Sequence, residues 1–316
     1  MRGQRVVVFG GSGFIGRYLV RRLGAAGANV TVAVRDPEAA LFLKPMGDVG
    51  QITPVYANVR KPKTVDRAVE GADMVVNLTG VLHQGAQPFA GVHAIGARNI
   101  ARAAAEQGVT RFVQMSSIGA DPKSVSAYAA TKGAGEAAVR EAIPSATVLR
   151  PSVLFGPEDD FLNRFAAMLR IAPVLPLIGG GATRFQPVYV GDVADAVMAG
   201  LQRDDAAGQD FELGGARVMS FREIMTFIRD EVGRPAFLVP IPFGPAKIMG
   251  ALMQILPSPP LTLDQVKLLE TDNVVSDGAK GFADLGITEL AAIEAVAPGY
   301  LARYRKPGRQ AAPGVS

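Results

Sequence analysis

A cluster of four glycines follows the first apolar run of this chain. The run, residues 5–10 (RVVVFG), is short and ends in glycine, which is typical of a parallel strand buried on both faces. The cluster runs from Gly10 to Gly16 with the spacing G-x-x-G-x-x-G, and residues 14–26 behind it have helical apolar spacing. Such a turn lets the backbone approach an anion, and the helix points unpaired N–H groups at that anion. The sequence therefore predicts a strand–turn–helix unit that binds the pyrophosphate of a dinucleotide.

The same alternation of strand and helix patterns continues to about residue 150. Further strands are predicted at residues 29–35, 55–58, 73–78, 111–116 and 146–150, and helices at 62–70, 89–107 and 128–141. Repeated units of this kind predict an α/β fold, a Rossmann doubly wound parallel sheet, with a smaller, mixed C-terminal substrate or partner domain. A helix at 191–201 and a strand at 210–213 are expected to return to the sheet. The predicted domains are residues 1–155 with 187–215 for the dinucleotide, and 156–186 with 216–316 for the smaller domain.

Composition narrows the function classes. The chain has no cysteine and two histidines, so disulfides, thiolate chemistry and a histidine-rich metal site are excluded, and no metal is predicted. Its net charge of +4 comes without a basic run interleaved with aromatics, so nucleic acid is not an expected partner. With a strand from residue 5, no signal peptide is expected, and no apolar stretch approaches the ~18 residues of a spanning helix. The expected compartment is the cytoplasm.

The residues at the end of the second predicted strand indicate which dinucleotide, NAD or NADP, the chain would bind. A carboxylate at this place would bind the ribose 2′-hydroxyl of NAD, whereas this chain has Arg35 there, followed by Asp36. A guanidinium matches a 2′-phosphate with two hydrogen bonds, so the sequence favours NADP(H) over NAD(H). An ordinary solvated arginine, or an Asp36 that turns toward a ribose, is the alternative.

A second pattern points to proton transfer. Tyr128 and Lys132 are four residues apart on a predicted helix, so their side chains lie on one face. The ammonium is expected to lower the pKa of the phenol, which could then exchange a proton with a carbonyl or an alcohol. Ser116 and Ser117 end the preceding strand, at the edge where open α/β sheets bind ligands. We therefore predict Ser117, Tyr128 and Lys132 as catalytic residues.

At these positions the chain resembles the extended and atypical short-chain dehydrogenases/reductases. The matching stretches are residues 10–16, 77–80, Ser117, Tyr128 with Lys132, 149–157 and 187–194. Within that superfamily the chain is most similar to the nucleotide-binding accessory subunits of respiratory complex I and their bacterial relatives. The stretches that carry this second resemblance are 116–122, 155–165, 175–180, 184–190, 261–269 and 272–275.

The resemblance implies a role for each matching residue. The pyrophosphate would lie against the glycine turn, at Gly10, Ser12, Gly13, Phe14, Ile15 and Gly16. The rest of the cofactor would be bound by Arg35 at the 2′-phosphate, Asn58 and Val59 at the adenine, Thr79 and Gly80 at the ribose side, Pro151 and Val153 at the nicotinamide, and Tyr128 and Lys132. Two departures stand out: Asn58 replaces the family's usual Asp, and only eleven residues separate Ser117 from Tyr128, which would change or close the substrate pocket.

Weaker signals concern two histidines and one apolar segment. His83 is interpreted as an ordinary loop histidine rather than an acid or a substrate contact, and His93 as a structural residue of a helix. Residues 243–256 (FGPAKIMGALMQIL) are apolar and contain methionines, with a single lysine. This segment either packs as a core helix over a substrate site or docks on a membrane surface or a partner.

Three functions fit these observations. The first is an NADP(H)-binding, mainly structural accessory subunit of respiratory complex I, bound to peripheral-arm subunits on the inner face of the bacterial inner membrane. The second is an active NADP-dependent reductase or epimerase for an apolar substrate, such as a quinone precursor, a lipid or a sterol-like molecule. The third is a nucleotide-sensing regulatory protein.

Overall fold

The structure is a computed structural model that describes residues 1–82, 88–256 and 259–305. It divides into two compact units, each formed from separate stretches of chain. Unit 1 contains Met1–Pro151, Val190–Leu213 and Ser276–Glu289, and unit 2 contains Ser152–Tyr189, Gly214–Val275 and Leu290–Ser316.

The strands are β1 (Arg5–Phe9), β2 (Asn29–Val34), β3 (Ile52–Tyr56), β4 (Met74–Asn77), β5 (Arg111–Met115), β6 (Thr147–Pro151), β7 (Leu154–Phe155), β8 (Val174–Ile178), β9 (Arg184–Phe185), β10 (Val188–Tyr189), β11 (Asp210–Leu213), β12 (Met219–Ser220) and β13 (Phe237–Ile241). The α-helices are α1 (Phe14–Ala25), α2 (Pro62–Val69), α3 (Ala97–Glu106), α4 (Ala127–Ala142), α5 (Leu162–Ile171), α6 (Val190–Gln202), α7 (Phe221–Val232), α8 (Phe243–Met253), α9 (Leu263–Leu268) and α10 (Ile293–Leu301).

Unit 1 is built on a seven-stranded sheet in the order β11-β6-β5-β4-β1-β2-β3. Every pair of neighbouring strands in it is parallel, as the alternating sequence pattern predicts. The strand order reverses at β1, which pairs with β2 on one side and β4 on the other. The loops that leave β1 and β4 therefore diverge, and the crevice between them is where such sheets bind ligands. The predicted Rossmann fold is confirmed.

Helices cover both faces of this sheet. On one face α1 packs beside α6, and the Arg22 guanidinium forms an ion pair with Asp195 at 2.7 Å. On the other face, apolar side chains of α2, α3 and α4 meet those of the strands in one core, with Ile100, Phe112 and Val139 fully or almost fully buried. These helices bury their apolar stripes because the strands are apolar on both faces.

The predicted strand at residues 55–58 is wrong in its bounds, because β3 begins at Ile52 and ends at Tyr56. Pro54 within the strand argues against this assignment in the sequence, since proline donates no ladder hydrogen bond. However, β3 is the edge of the sheet, paired with β2 on one side. At an edge the missing N–H costs no hydrogen bond, and the proline also discourages pairing with another chain.

The predicted helix at residues 89–107 is not continuous α-helix. Residues Ala90–Gly96 form a π-helical turn, and α3 follows from Ala97. Apolar periodicity alone does not separate these two helical forms, because both place a stripe of side chains toward the sheet. Single π-helical turns are rare and are frequent at functional sites.

Residues 276–289 belong to unit 1 and not to the smaller domain in which the sequence placed them. They are held by β11, where the Glu212 N–H donates to the Lys280 carbonyl at 2.8 Å. The Glu212 carboxylate also accepts from the Ser276 N–H at 2.7 Å. These are contacts between segments distant in sequence, which local patterns do not reveal.

Unit 2 has its own core and short two-stranded pairs, β7 with β10, β8 with β13 and β9 with β12. Side chains of α5, α7 and α10 supply its buried centre, with Leu162, Ile224 and Ile228 fully buried. The Tyr300 hydroxyl of α10 donates to the buried Asp159 carboxylate at 2.7 Å, which ties this late helix to the start of α5. Among the described residues of the whole chain, no helix has the length and apolar character needed to cross a membrane.

Candidate nucleotide-binding and catalytic site

The glycine turn after β1 is a close-packed backbone cradle. Gly10 has φ +78°, a conformation that favours glycine, and its N–H donates to the Ala33 carbonyl at 3.2 Å. A Cβ at Gly16 would lie 2.4 Å from the Gly11 carbonyl oxygen, so only glycine fits where α1 passes over the turn. The turn therefore brings backbone, without side chains, to the crevice beside β1.

The cradle ends at the N-terminus of α1. Gly13 precedes the helix without a side-chain cap, and the first turn of α1 has no acidic residue. The helix-start N–H groups and the positive end of the dipole therefore face the turn uncompensated by a carboxylate. Ser12, Phe14 and Ile15 are half-buried around it. This arrangement fits the pyrophosphate of a dinucleotide.

Arg35 and Asp36 follow β2 with different surroundings. Arg35 is exposed at the carboxyl end of the strand. The Asp36 carboxylate accepts from the N–H groups of Glu38 and Ala39, both at 3.1 Å, and so caps the 3-10 helix Glu38–Met46. One oxygen of this carboxylate is therefore engaged by the backbone of the following segment.

Arg17, a cation that directly follows the glycine turn, was not singled out in the sequence analysis. Its guanidinium lies over the ring of Phe42, 5.4 Å from the ring centre, and Phe42 belongs to the 3-10 helix behind Arg35. Cations stack on aromatic faces in this way. The glycine pattern ends at Gly16, directly before Arg17, and this adjacency is the signal that could have drawn attention to it.

The residues predicted at the adenine follow β3. The Asn58 side-chain oxygen accepts from the Arg60 N–H at 3.0 Å, so it stabilises its own loop. Val59 is buried, and its carbonyl accepts from the Asn99 side chain at 2.8 Å. Both residues are thus fixed in place at the carboxyl edge of the sheet.

A buried polar network at the ends of β4 and β5 positions Thr79. The Asn77 side-chain oxygen accepts from the Thr79 N–H at 3.0 Å and from its hydroxyl at 2.6 Å. The Asn77 amide donates to Gln114 at 2.9 Å, and Gln114 in turn donates to the Met115 carbonyl at 3.0 Å. Asn77 and Gln114 are each less than 4% exposed, a burial that their polarity did not predict.

Lys132 joins the same network from α4. Its ammonium is buried and donates to the Met115 carbonyl at 2.9 Å. Burial lowers its pKa to about 8, and the Glu136 carboxylate one turn later opposes this shift. Gly80 lies alongside, since a Cβ built on it would be 3.9 Å from the Lys132 nitrogen. The structure therefore places Gly80, which directly follows Thr79, next to Lys132.

Tyr128 lies in the first turn of α4, which begins at the side-chain cap of Ser126. Burial raises the pKa of Tyr128, and the neighbouring Ser117 hydroxyl partly opposes this shift. The expectation that Lys132 lowers the phenol pKa is wrong for this structure, because burial dominates. The Ser116 hydroxyl is buried and has no hydrogen-bond partner among the described residues. An unsatisfied buried hydroxyl at this edge fits a site that accepts polar ligand atoms.

The short loop between Ser117 and Tyr128 folds back on α4. A Cβ at Gly133 would lie 2.6 Å from Pro122, so the loop touches the helix itself. Pro151 ends β6 in unit 1, where its carbonyl accepts from the Ile118 N–H at 3.1 Å. Val153 belongs to unit 2, and its N–H donates to the Asn273 side chain at 3.1 Å.

The structure describes one of the two histidines that the sequence analysis interpreted. His83 lies outside the described residues. His93 is 3% exposed in the π-helical turn, with both ring nitrogens in hydrogen-bond contact. In the described ranges, no group of three or more metal-ligating side chains is close enough to hold an ion.

Comparison with known proteins agrees with this geometry. Residues 6–214 match the model of the NAD dependent epimerase/dehydratase family. The chain is 37% identical over 319 residues to the Arabidopsis thaliana mitochondrial NADH dehydrogenase [ubiquinone] 1 alpha subcomplex subunit 9, covering 97% of this chain and 79% of that protein. It is 34% identical over 305 residues to the Neurospora crassa mitochondrial NADH-ubiquinone oxidoreductase 40 kDa subunit, covering 96% and 80%.

Other likenesses are partial or concern the fold. A Caulobacter vibrioides ceramide reductase is 35% identical over 196 residues, 61% of this chain and 60% of that protein. The solved structure of MoeE5 in complex with UDP-glucuronic acid and NAD has a TM-score of 0.71 at 19% identity, covering 95% of this chain and 98% of that one. From its glycine turn, its parallel sheet and these matches, the chain belongs to the NAD dependent epimerase/dehydratase family and is a relative of subunits of NADH-ubiquinone oxidoreductase.

Proposed function

We propose that this chain is an NADP(H)-binding accessory subunit of respiratory complex I, in which the nucleotide serves mainly to stabilise the fold. The observation that carries the proposal is the glycine cradle with Arg35 beside it, in a chain similar over almost its full length to two subunits of that complex. A bound nucleotide stabilises a folded protein by mass action whether or not it reacts.

The choice of NADP(H) over NAD(H) rests on the residues after β2. Arg35 offers a guanidinium at the place where a 2′-phosphate would lie. Asp36, the neighbouring carboxylate, is occupied in capping the 3-10 helix Glu38–Met46. NAD would lack its usual carboxylate partner there, and NADP would meet a cation.

A mainly structural role is supported by the protonation of Tyr128. General acid–base catalysis works best when the pKa of the acting group is near the operating pH. Burial raises the pKa of Tyr128 above its ordinary value of 10.0, which moves the phenol away from neutrality. When bound, the nicotinamide would supply hydride transfer, and Tyr128 and Lys132 are the groups that would hold and move the proton.

We place the partner contact on unit 2, at residues 243–256, which we call the α8 face. Ile248 and Leu252 are 65% and 66% exposed and lie one turn apart on one side of α8, and Ile255, just beyond the end of the helix, is 81% exposed. Lys247, the one charged residue of the segment, is paired with Glu270 at 2.7 Å. A contiguous exposed apolar surface indicates an interaction site, here with peripheral-arm subunits at the inner face of the bacterial membrane. The alternative of a buried core helix does not fit these exposures.

The test is purification from the native host in mild detergent, followed by mass spectrometry of the proteins and of bound nucleotide. We expect the chain to migrate with complex I subunits and to carry NADPH. A chain that carries nucleotide but migrates alone would contradict the accessory role. A chain in the complex with NADH, or with no nucleotide, would contradict the cofactor assignment alone.

A second candidate is an active NADP-dependent reductase or epimerase for an apolar substrate. It is favoured by the contact of Ser117 with Tyr128, by the placement of both Tyr128 and Lys132 near His93, and by the partial similarity to a ceramide reductase. Substrate-dependent oxidation of NADPH that is lost in Tyr128→Phe would support this candidate. Long-chain ketones are the first substrates to screen, because the Caulobacter relative is named for a lipid.

A further inference from the structure

A buried histidine joins three segments of the site and has no part in the proposed function so far. His93 lies in the π-helical turn Ala90–Gly96, between the loop after β4 and helix α4. It is 3% exposed, although histidines are more often at least partly accessible. Its two ring nitrogens contact different segments.

The hydrogen bonds identify the tautomer. The Val81 N–H donates to His93 Nε2 at 3.0 Å, so Nε2 carries no proton. The proton of the neutral ring therefore lies on Nδ1, which donates to the Thr131 hydroxyl at 3.0 Å. The Thr131 hydroxyl in turn donates to the Ala127 carbonyl at 2.8 Å. A single ring thus connects the loop after β4 with α4 through two directional bonds.

The ring is held neutral by its surroundings. Burial and the nearby Lys132 ammonium lower the pKa of His93 to about 3. Tyr128 is the other titratable group against it, with its ring centre 5.3 Å away at an interplanar angle of 85°. The Phe89 ring stacks on His93, also at 5.3 Å between ring centres, and contacts Tyr128 edge-on at 5.7 Å. Lys132 would repel an imidazolium at this position, so the folded protein favours the neutral form of His93.

His93 also touches the backbone that is predicted to line the ribose. A Cβ built on Gly80 would be 3.9 Å from both His93 Nε2 and the Lys132 nitrogen, so Gly80 lies against the two side chains. Gly135 of α4 lies against the backbone of His93, since a Cβ there would be 2.2 Å from the His93 carbonyl oxygen. The π-helical turn, the loop and α4 are therefore packed around one residue.

We propose that His93 is a positioning residue for nucleotide binding, which fixes the Gly80–Val81 backbone relative to Tyr128 and Lys132. This proposal rests on the proposed binding of NADP(H). Without an acceptor at Nε2, the Val81 N–H would lose its partner, and a lost hydrogen bond at a half-buried donor is costly. The loop would then shift away from α4, and the nucleotide would bind less tightly.

Three substitutions of His93 test the contributions of its two hydrogen bonds separately. His93→Phe keeps the ring and its stacking but removes both bonds. His93→Gln restores an acceptor near the Nε2 position, and His93→Asn restores a donor near the Nδ1 position. We expect the dissociation constant for NADPH, measured by the fluorescence of the bound nucleotide, to rise about tenfold in His93→Phe. His93→Gln should recover most of this loss, and His93→Asn should recover little.

The matched control is Thr147→Val. Thr147 is 1% exposed, and its hydroxyl donates to the Ala206 carbonyl at 2.8 Å at the opposite end of β6. This variant loses a comparable buried bond, so its melting temperature should fall while its NADPH affinity stays that of the wild type. The control separates positioning from general destabilisation.

The outcomes are distinguishable. If the wild type binds no NADPH, the proposed function fails and this proposal fails with it. If the wild type binds and His93→Phe binds equally well, the positioning role alone is overturned. If His93→Phe does not fold, the comparison of the Gln and Asn variants decides, because equal affinities in these two would contradict a role for the Val81 bond.

Discussion

Arg35 and Asp36 show how neighbouring residues of the sequence take separate roles in the structure. Both are charged and exposed at the end of β2, and either could contact an adenosine ribose. The carboxylate of Asp36 instead binds two backbone N–H groups of the following 3-10 helix. In the proposed function, the preference for NADP(H) depends on this difference between the two side chains.

Replacing Arg35 tests this choice. In Arg35→Ala we expect the dissociation constant for NADPH to rise about 10- to 100-fold, the effect of losing a charge-assisted bidentate contact. The constant for NADH should change little, because NADH has no 2′-phosphate. Both are measured by fluorescence titration. Arg21→Ala is the control, since Arg21 is an exposed cation of α1 in the same unit. Equal losses for both nucleotides in Arg35→Ala would contradict the assignment.

The neutral His93 gives a prediction for acid stability. Its pKa is lowered from 6.5 to about 3, so between these values the unfolded chain binds a proton that the native chain does not. The free energy of unfolding should therefore fall as the pH falls below 6.5, by at most about 1.4 kcal/mol per pH unit from this residue.

Urea unfolding of the wild type and of His93→Phe at pH 7, 6 and 5 measures this effect. The difference in stability between the two proteins should narrow in acid, because the variant has no group to protonate at this position. A difference that is constant with pH would show that His93 titrates normally in the native protein.

At the scale of elements, α7 and α8 differ in how they end and what they bury. Helix α7 begins with a capping box between Ser220 and Glu223 and ends at Gly233 with φ +62°, as a self-sufficient helix does. Helix α8 lacks a side-chain cap and buries Ala246 and Gly250 but few of its large apolar residues. An apolar helix that does not bury its large side chains within its own unit is suited to a partner.

Substitutions on the α8 face should weaken partner binding without changing nucleotide binding. In the double variant Ile248→Gln and Leu252→Gln we expect loss of co-migration with complex I subunits in mild detergent. NADPH affinity should stay that of the wild type, since the cradle is in unit 1. Glutamine is a good helix former, so α8 itself should persist.

Val49→Gln is the matched control, because Val49 is a fully exposed apolar residue of unit 1. It should leave co-migration unchanged. If the double variant still migrates with the complex, the partner contacts another surface and the α8 face loses its assignment.

At the scale of the whole molecule, the chain is interleaved rather than divided into consecutive domains. Unit 1 is completed by Val190–Leu213 and Ser276–Glu289, which come after much of unit 2 in the sequence. Strand β11 pairs with β6 and so closes one edge of the sheet. Arg150 of β6 reaches Glu136 and Asp210 together, which joins α4, β6 and β11 through a half-buried ion cluster.

Nucleotide binding should stabilise the folded chain even when no reaction takes place. At 100 times its dissociation constant, NADPH is expected to raise the free energy of unfolding by about 2.7 kcal/mol. Tyr128→Phe should retain this gain if the nucleotide is structural, which urea unfolding with and without NADPH will show. Gly16→Ala should lose it, because the added Cβ would lie 2.4 Å from the Gly11 carbonyl oxygen. No stabilisation of the wild type would contradict a structural cofactor.

Local patterns were sufficient for six of the seven strands of the large sheet and for the glycine turn. The strands β1, β2, β4, β5, β6 and β11 lie within a residue or two of their predicted bounds. This succeeds because a strand buried on both faces must be apolar throughout, and a turn that approaches an anion must be glycine. Tyr128 and Lys132 share a helix face for the same local reason.

The tertiary structure decided what depends on distant residues. Burial, and not the nearby cation, sets the direction of the Tyr128 pKa, and burial is a property of the folded molecule. The π-helical turn, the buried pair Asn77–Gln114 and the neutral His93 all arise where segments far apart in sequence compete for the same space and hydrogen bonds. The sequence by itself determined six strands of the large sheet and the glycine turn after β1, because these follow from neighbours along the chain. The protonation and fixed geometry of the site were decided only by folding, because they follow from neighbours in space.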